Sequence, residues 1–177
     1  NLSGLKTIII PGTVKEIGQN AFTNNADLTR VVLQEGIEII GIEAFRECDN
    51  LTTIELPESL RSIGAGAFQE CSKLDNVTIP SQITRIEGAT FYICKNLTTI
   101  KLPENLGTIE GDAFSSCSSL KSIYIPKNVN SIANNSFTNC TKLTNIEIAE
   151  ENTKYSYNQD SGMLMDLENN NILFISS

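Results

Sequence analysis

Leu51 to Lys73 reads LTTIELPESLRSIGAGAFQECSK, and Leu97 to Ser119 reads LTTIKLPENLGTIEGDAFSSCSS. The second copy starts 46 residues after the first, which is twice 23. A leucine opens every 23-residue unit, at Leu5, Leu28, Leu51, Leu74, Leu97, Leu120 and Leu143, without insertion or deletion. A fixed period of this length marks a solenoid, in which each unit packs mainly on its neighbours and the core is a long thin filling.

Position by position, the unit reads as physics. Its opening segment alternates, as in Leu51, Ile54 and Leu56 around Thr53 and Glu55, or Leu120, Ile123 and Ile125. Period-two alternation over a short β-branched run predicts a strand with one buried face. Equivalent strands stack in parallel about 4.8 Å apart, so seven of them predict a sheet roughly 30 Å long. All five prolines follow such strands, at Pro11, Pro57, Pro80, Pro103 and Pro126, where a residue without an N–H ends pairing. Gln34 and Ala149 replace proline in the other two units. Next come two apolar positions three apart, such as Leu60 and Ile63, as a second wall of the core. A glycine often follows (Gly18, Gly41, Gly64, Gly88, Gly111) and is read as backbone freedom at a bend.

Phe22, Phe45, Phe68, Phe91, Phe114 and Phe137 then recur, each after a small residue, and predict an aromatic spine. Cysteine stands three residues later in five units, which predicts a short helical turn on the convex side carrying both. The pattern lapses after Ile148. The expected division is therefore 1–4 as the end of a preceding repeat, with Leu2 in the cysteine column. Residues 5–148 are an array of six full repeats plus the strand of a seventh, and 149–177 a polar segment with a β-hairpin cap. The hairpin is expected from Met163–Leu167 and Ile172–Ile175. Such an end unit shields the last apolar face of a solenoid.

The unit L-x-x-I-x-[IL]-P-x-x-[VL]-x-x-I-x-x-x-A-F-x-x-C resembles the BspA-like leucine-rich repeat, also called the Treponema pallidum-type repeat. The likeness spans Leu5 to Ile148. Departures are Gln34 for proline, Asn25 for cysteine, and Thr90 and Ser136 for alanine. The resemblance implies an α/β-type, right-handed arc: a leucine-rich-repeat solenoid with a parallel concave β-sheet and short helical or irregular convex segments. It also implies a cell-surface or secreted protein of host-associated bacteria or some protozoa, with roles in adhesion to host matrix proteins or cells.

Composition narrows the function. Net charge is −8 and the 13 Lys and Arg are scattered, so nucleic acid is not an expected partner. No apolar run approaches the roughly 20 residues of a membrane span, so no direct membrane insertion is expected. The sequence opens on Asn1 without a leader-like segment, so a piece of a longer protein is expected, with any signal or anchor outside it. There is no histidine, the commonest general base and zinc ligand. Without it no Ser-His or Cys-His pair exists, and the glycines track the repeat rather than a phosphate loop. No enzyme activity, cofactor or metal site is expected.

Cys48, Cys71, Cys94, Cys117 and Cys140 lie 23 apart and form a ladder. Rungs about 5 Å apart do not exclude disulfides by distance. An odd number of parallel side chains favours small buried hydrophobes instead. Six N-x-[ST] sequons, from Asn1 to Asn139, reflect the abundance of Asn and Thr at the turns.

The remaining candidate is the outward strand face, the extended surface that repeat proteins use for binding. Its singled-out residues are Ile9, Arg30, Val32, Glu55, Thr78, Lys101, Tyr124 and Glu147. Exposed Ile9, Val32 and Tyr124 beside charges are suited to anchoring a partner. The expected function is a non-catalytic protein-binding or adhesion module whose partner is a protein, such as a host matrix or cell-surface protein. The alternatives are a structural spacer or self-association module, and an accessory domain of a larger enzyme.

Overall fold

The computed structural model describes residues 4–175, and the readings placed on Asn1 and Leu2 fall outside them. Each coil opens with a longer strand and continues with a two-residue one. The longer strands are β1 (Thr7–Ile10), β3 (Arg30–Leu33), β5 (Thr53–Glu55), β7 (Asn76–Thr78), β9 (Thr99–Lys101), β11 (Ser122–Ile125) and β13 (Asn145–Ile148). The shorter are β2 (Glu16–Ile17), β4 (Ile39–Ile40), β6 (Ser62–Ile63), β8 (Arg85–Ile86), β10 (Thr108–Ile109) and β12 (Ser131–Ile132). Pairing is parallel and one unit apart, as in Thr7 beside Arg30 and Ser122 beside Asn145. The molecule is a parallel-strand solenoid of about six turns.

Its core follows the repeat pattern. Leu51, Leu60, Phe68 and Cys71 are fully buried, as are their equivalents Leu97, Leu106, Phe114 and Cys117. The phenylalanines form the expected spine. From Phe22 to Phe137 adjacent ring centroids lie 5.2–5.6 Å apart with planes within 15° of parallel. Phe174 continues the column edge-on to Phe137 at 6.1 Å. Each cysteine is a free thiol in the core. Its Sγ donates to the carbonyl of the phenylalanine one coil back, at 3.0–3.2 Å. The thiol is a second donor to each carbonyl, which already accepts the N–H of the cysteine in its own coil or, at Phe22, the Asn25 amide.

The convex turns differ from the expected helical ones: no helix is present among the described residues. In the second coil the N–H groups of Glu43, Phe45 and Glu47 donate to Ala65, Ala67 and Gln69 in the next coil, at 2.9–3.0 Å. Those of Ala44, Arg46 and Cys48 turn back three residues, at 3.2–3.3 Å. Glu43 and Glu47 sit at φ 53° and 57°, the left-handed region, which no α-helix can contain. Half of the donors that a helix would use internally therefore stitch neighbouring coils together. Gly41 and Gly64 are also explained differently. Neither lies at positive φ; a Cβ on Gly41 would stand 2.7 Å from the Gln19 nitrogen, and one on Gly64 2.6 Å from that of Ile42. Close approach of coils, not freedom at a bend, requires glycine there.

The strand sheet is not continuous. It falls into β1-β3-β5, β7-β9 and β11-β13. The second position of each unit explains the breaks. Thr29, Thr52 and Thr98 donate their hydroxyls to a backbone carbonyl of the preceding coil. Asp75 and Lys121 replace threonine in the coils of β7 and β11, where the sheet is interrupted. Asp75 lacks the hydroxyl that threonine offers there. The Thr52 carbonyl is left with the Asp75 N–H at 3.5 Å, against 2.9 Å for the equivalent bond from Thr52 to Thr29.

Beyond Ile148 the chain stays in contact with the array longer than its polarity suggests. Asn152 occupies the place held by Val129 one coil earlier and is buried. Its amide donates to the carbonyls of Pro126 and Val129, both at 3.0 Å, and its oxygen accepts from the Lys154 and Tyr155 N–H groups. Buried Tyr155 follows where Ile132 stood and begins β14 (Tyr155–Asn158). With β15 (Met163–Asp166) and β16 (Asn171–Ile175) it forms a three-stranded antiparallel sheet. Leu164 and Leu173 of this sheet are buried.

Candidate binding face

Seven of the eight singled-out residues share one register position. Ile9, Val32 and Glu55 are successive Cα partners, as are Thr78 with Lys101 and Tyr124 with Glu147. Alternation in each strand sends the intervening Val31, Ile54, Val77, Ile100, Ile123 and Ile146 into the core. The outward column is exposed along its length, with Ile9 at 62% and Tyr124 at 36%, while Val32 is half-buried. Arg30 stands two residues before Val32 and reaches diagonally to Glu55, Nη2 to Oε1 at 2.6 Å. That surface pair neutralises both charges locally and holds two long side chains flat, for little net stability.

The column changes character along its length. Ile9 and Val32 make one end apolar; Arg30 and Glu55 follow as a closed ion pair; Thr78 and Lys101 are polar; Tyr124 and Glu147 end it. The Tyr124 hydroxyl is pushed above its ordinary value, first by reduced contact with water and then by the carboxylates of Glu104, Glu151 and Glu147. This end therefore presents an aromatic ring in a negative field. Glu58 borders the middle of the face. Its carboxyl is held below the usual range, chiefly by the Ser81 N–H and hydroxyl, at 3.1 and 2.8 Å, and further by Lys101.

The structure adds residues that the alternation did not single out. Thr52, Lys73, Asp75, Asn96 and Thr98 line an open polar hollow of about 540 Å³ beside the strands. It lies at the break between β5 and β7, and Asp75 in a threonine position is the sequence signal for it. Two smaller hollows, of about 300 and 250 Å³, meet at Glu58 and Thr78. Among the described residues no group of three or more His, Cys, Asp or Glu is placed to hold a metal ion. The buried thiols are poor nucleophiles. Loss of water raises Cys48 to about 11 and Cys140 to about 12, and lifts Cys71, Cys94 and Cys117 well above the ordinary thiol value.

A parallel-strand coil of 23 residues, with leucine opening each strand and a variable outward column, defines a leucine-rich-repeat protein. The chain belongs to the family described as the BspA type leucine rich repeat region, whose model matches it in six copies over residues 1–97 and 62–162. Among solved structures it is similar to a leucine rich cell surface protein from Faecalibacterium prausnitzii, with 35% identity and a TM-score of 0.85 over 95% of this chain. A leucine-rich repeat protein from Bacteroides ovatus is 36% identical, with a TM-score of 0.78 over 83% of the chain. The leucine-rich repeat protein of T. pallidum is 29% identical, with a TM-score of 0.55 over 82%. The chain spans 44%, 38% and 59% of the lengths of these three. Comparison with curated protein sequences finds no match.

Proposed function

We propose that this chain is a non-catalytic protein-binding module of a cell-surface or secreted protein, and that it docks a protein partner across its outward strand column. One observation carries the reading: a rigid, repeated core presents a single register column whose side chains differ at every rung, from Ile9 through Glu55 and Lys101 to Tyr124. Buried positions hold the surface and outward positions set what it recognises. The cell-surface Faecalibacterium structure, at 35% identity, supports the location. The partner fitting this face is an extended or gently curved protein surface, a host matrix protein among them. It would place an apolar group against Ile9 and Val32 and a basic group near Tyr124 and Glu147. Binding of immobilised fibronectin and fibrinogen to the chain and to its Tyr124→Ala and Lys101→Ala variants tests it. Loss of binding in either variant supports the column; unchanged binding in both moves the site to another face.

A further inference from the structure

The turn side of the array, away from the strand column, carries a second hollow. It has a volume of about 360 Å³, at the small end of the range for small-molecule sites. Tyr92, Asp112, Ser115, Ser116 and Asn139 line it, with Gln69 at its rim. The rungs are adjacent: the Ile93 N–H bonds the Ser115 carbonyl at 3.0 Å, and the Ser116 N–H bonds that of Thr138 at 2.7 Å.

The hollow is an interruption of a periodic surface. The position after each phenylalanine runs Thr23, Arg46, Gln69, Tyr92, Ser115 and Thr138. Arg46 lies between Glu43 and Glu47, and Gln69 bonds Glu70, so long side chains cover the earlier coils. At Ser115 the cover shrinks to a hydroxymethyl group, and Ala89 keeps the preceding rung, that of Tyr92, low. Tyr92 is left as a wall. Ser115 is 4% exposed and lines the hollow. A hydroxyl there can exchange water for an oxygen of a ligand.

The lining selects a chemistry. One carboxylate disfavours an anion, and the polar walls disfavour a hydrocarbon. Two hydroxyls, two amides and the Asp112 carboxylate supply donors and acceptors at several angles around one aromatic ring. A pyranose has that complement: hydroxyls around a rim, and an apolar C–H face that packs on an aromatic side chain. The geometry points to a binding site for a neutral sugar, free or as the terminal residue of a glycan, with its ring against Tyr92 and its hydroxyls on Asp112, Ser115 and Asn139. This site stands apart from the strand column and does not depend on what that column binds.

Saturation-transfer NMR with D-glucose, D-galactose, N-acetyl-D-glucosamine and tetramethylammonium tests the assignment. At least one sugar is expected to receive saturation, insensitive to added salt. Its dissociation constant should rise roughly tenfold in Tyr92→Ala. Asp112→Asn should weaken it, Tyr92→Phe retain it, and Tyr124→Ala leave it unchanged. Circular dichroism confirms that each variant is folded. Three results each overturn the site: no transfer to any sugar, transfer to tetramethylammonium alone, or sugar binding that survives Tyr92→Ala in the folded variant.

Discussion

Replacing Phe91 by alanine tests whether the array is one coupled column. The ring is fully buried and stacked on both sides, 5.5 Å from Phe68 and 5.6 Å from Phe114. Truncating a buried phenylalanine costs about 3–5 kcal/mol, and the value rises when the cavity cannot collapse. Here collapse is resisted, because backbone bonds hold each ring at its own rung: Phe68 N–H to the Thr90 carbonyl and Phe91 N–H to that of Ala113, both 2.9 Å. The upper part of the range, about 4–5 kcal/mol, is expected. Small domains hold about 5–15 kcal/mol in total, so the loss is large. It is also central. In a nearest-neighbour array, weakening one interior interface lets the two sides unfold separately. Urea unfolding followed by circular dichroism should show a lower midpoint and a shallower slope, because less surface is exposed in each step. Phe22→Ala removes a half-buried ring with one stacked neighbour and should cost about 1–2 kcal/mol with the slope unchanged. Phe174→Ala, which loses an edge contact with Phe137, should also cost less and loosen only the C-terminal sheet. Equal losses at Phe91, Phe22 and Phe174 would refute the column as the organising core.

Asp75→Thr should restore a hydroxyl donor to the Thr52 carbonyl and join β5 to β7, stabilising the array by about 0.5–1 kcal/mol. Hydrogen exchange at the residue 75 amide should slow, and unchanged exchange would show that the threonine position does not control sheet continuity. The thiols predict alkaline sensitivity. Their folded values lie above the ordinary 9.0, so the folded state holds protons that the unfolded chain releases. Their contribution is complete below about pH 9 and declines above it, Cys48's being lost by about 11 and Cys140's by about 12. Each ionising thiol adds a slope of about 1.4 kcal/mol per pH unit in that window. Urea midpoints measured across it should fall for the native chain and fall less steeply when Cys48 and Cys140 are replaced by alanine, the remaining slope belonging to Cys71, Cys94 and Cys117; parallel curves would remove the two thiols as a cause.

The period alone determined the class of fold. Leu51, Ile54, Leu60, Ile63 and Phe68 recur because each must bury the same face, and a repeated burial demand has one solution, a stacked coil. The outward column Ile9 to Glu147 followed from the same alternation, since a residue between two buried neighbours on a strand faces the other way. Tertiary structure decided what depends on bonds between coils. The apparent helical turn is a row of left-handed breaks, because donors at Glu43, Phe45 and Glu47 gain more by reaching the next coil than by closing a helix. Asn152 reads as polar surface in isolation, yet it is buried because two carbonyls of the preceding coil wait for its amide. The turn-side hollow was invisible for the same reason. Tyr92 and Ser115 are 23 residues apart, and only stacking turns a large residue followed by a small one into a wall beside a cavity.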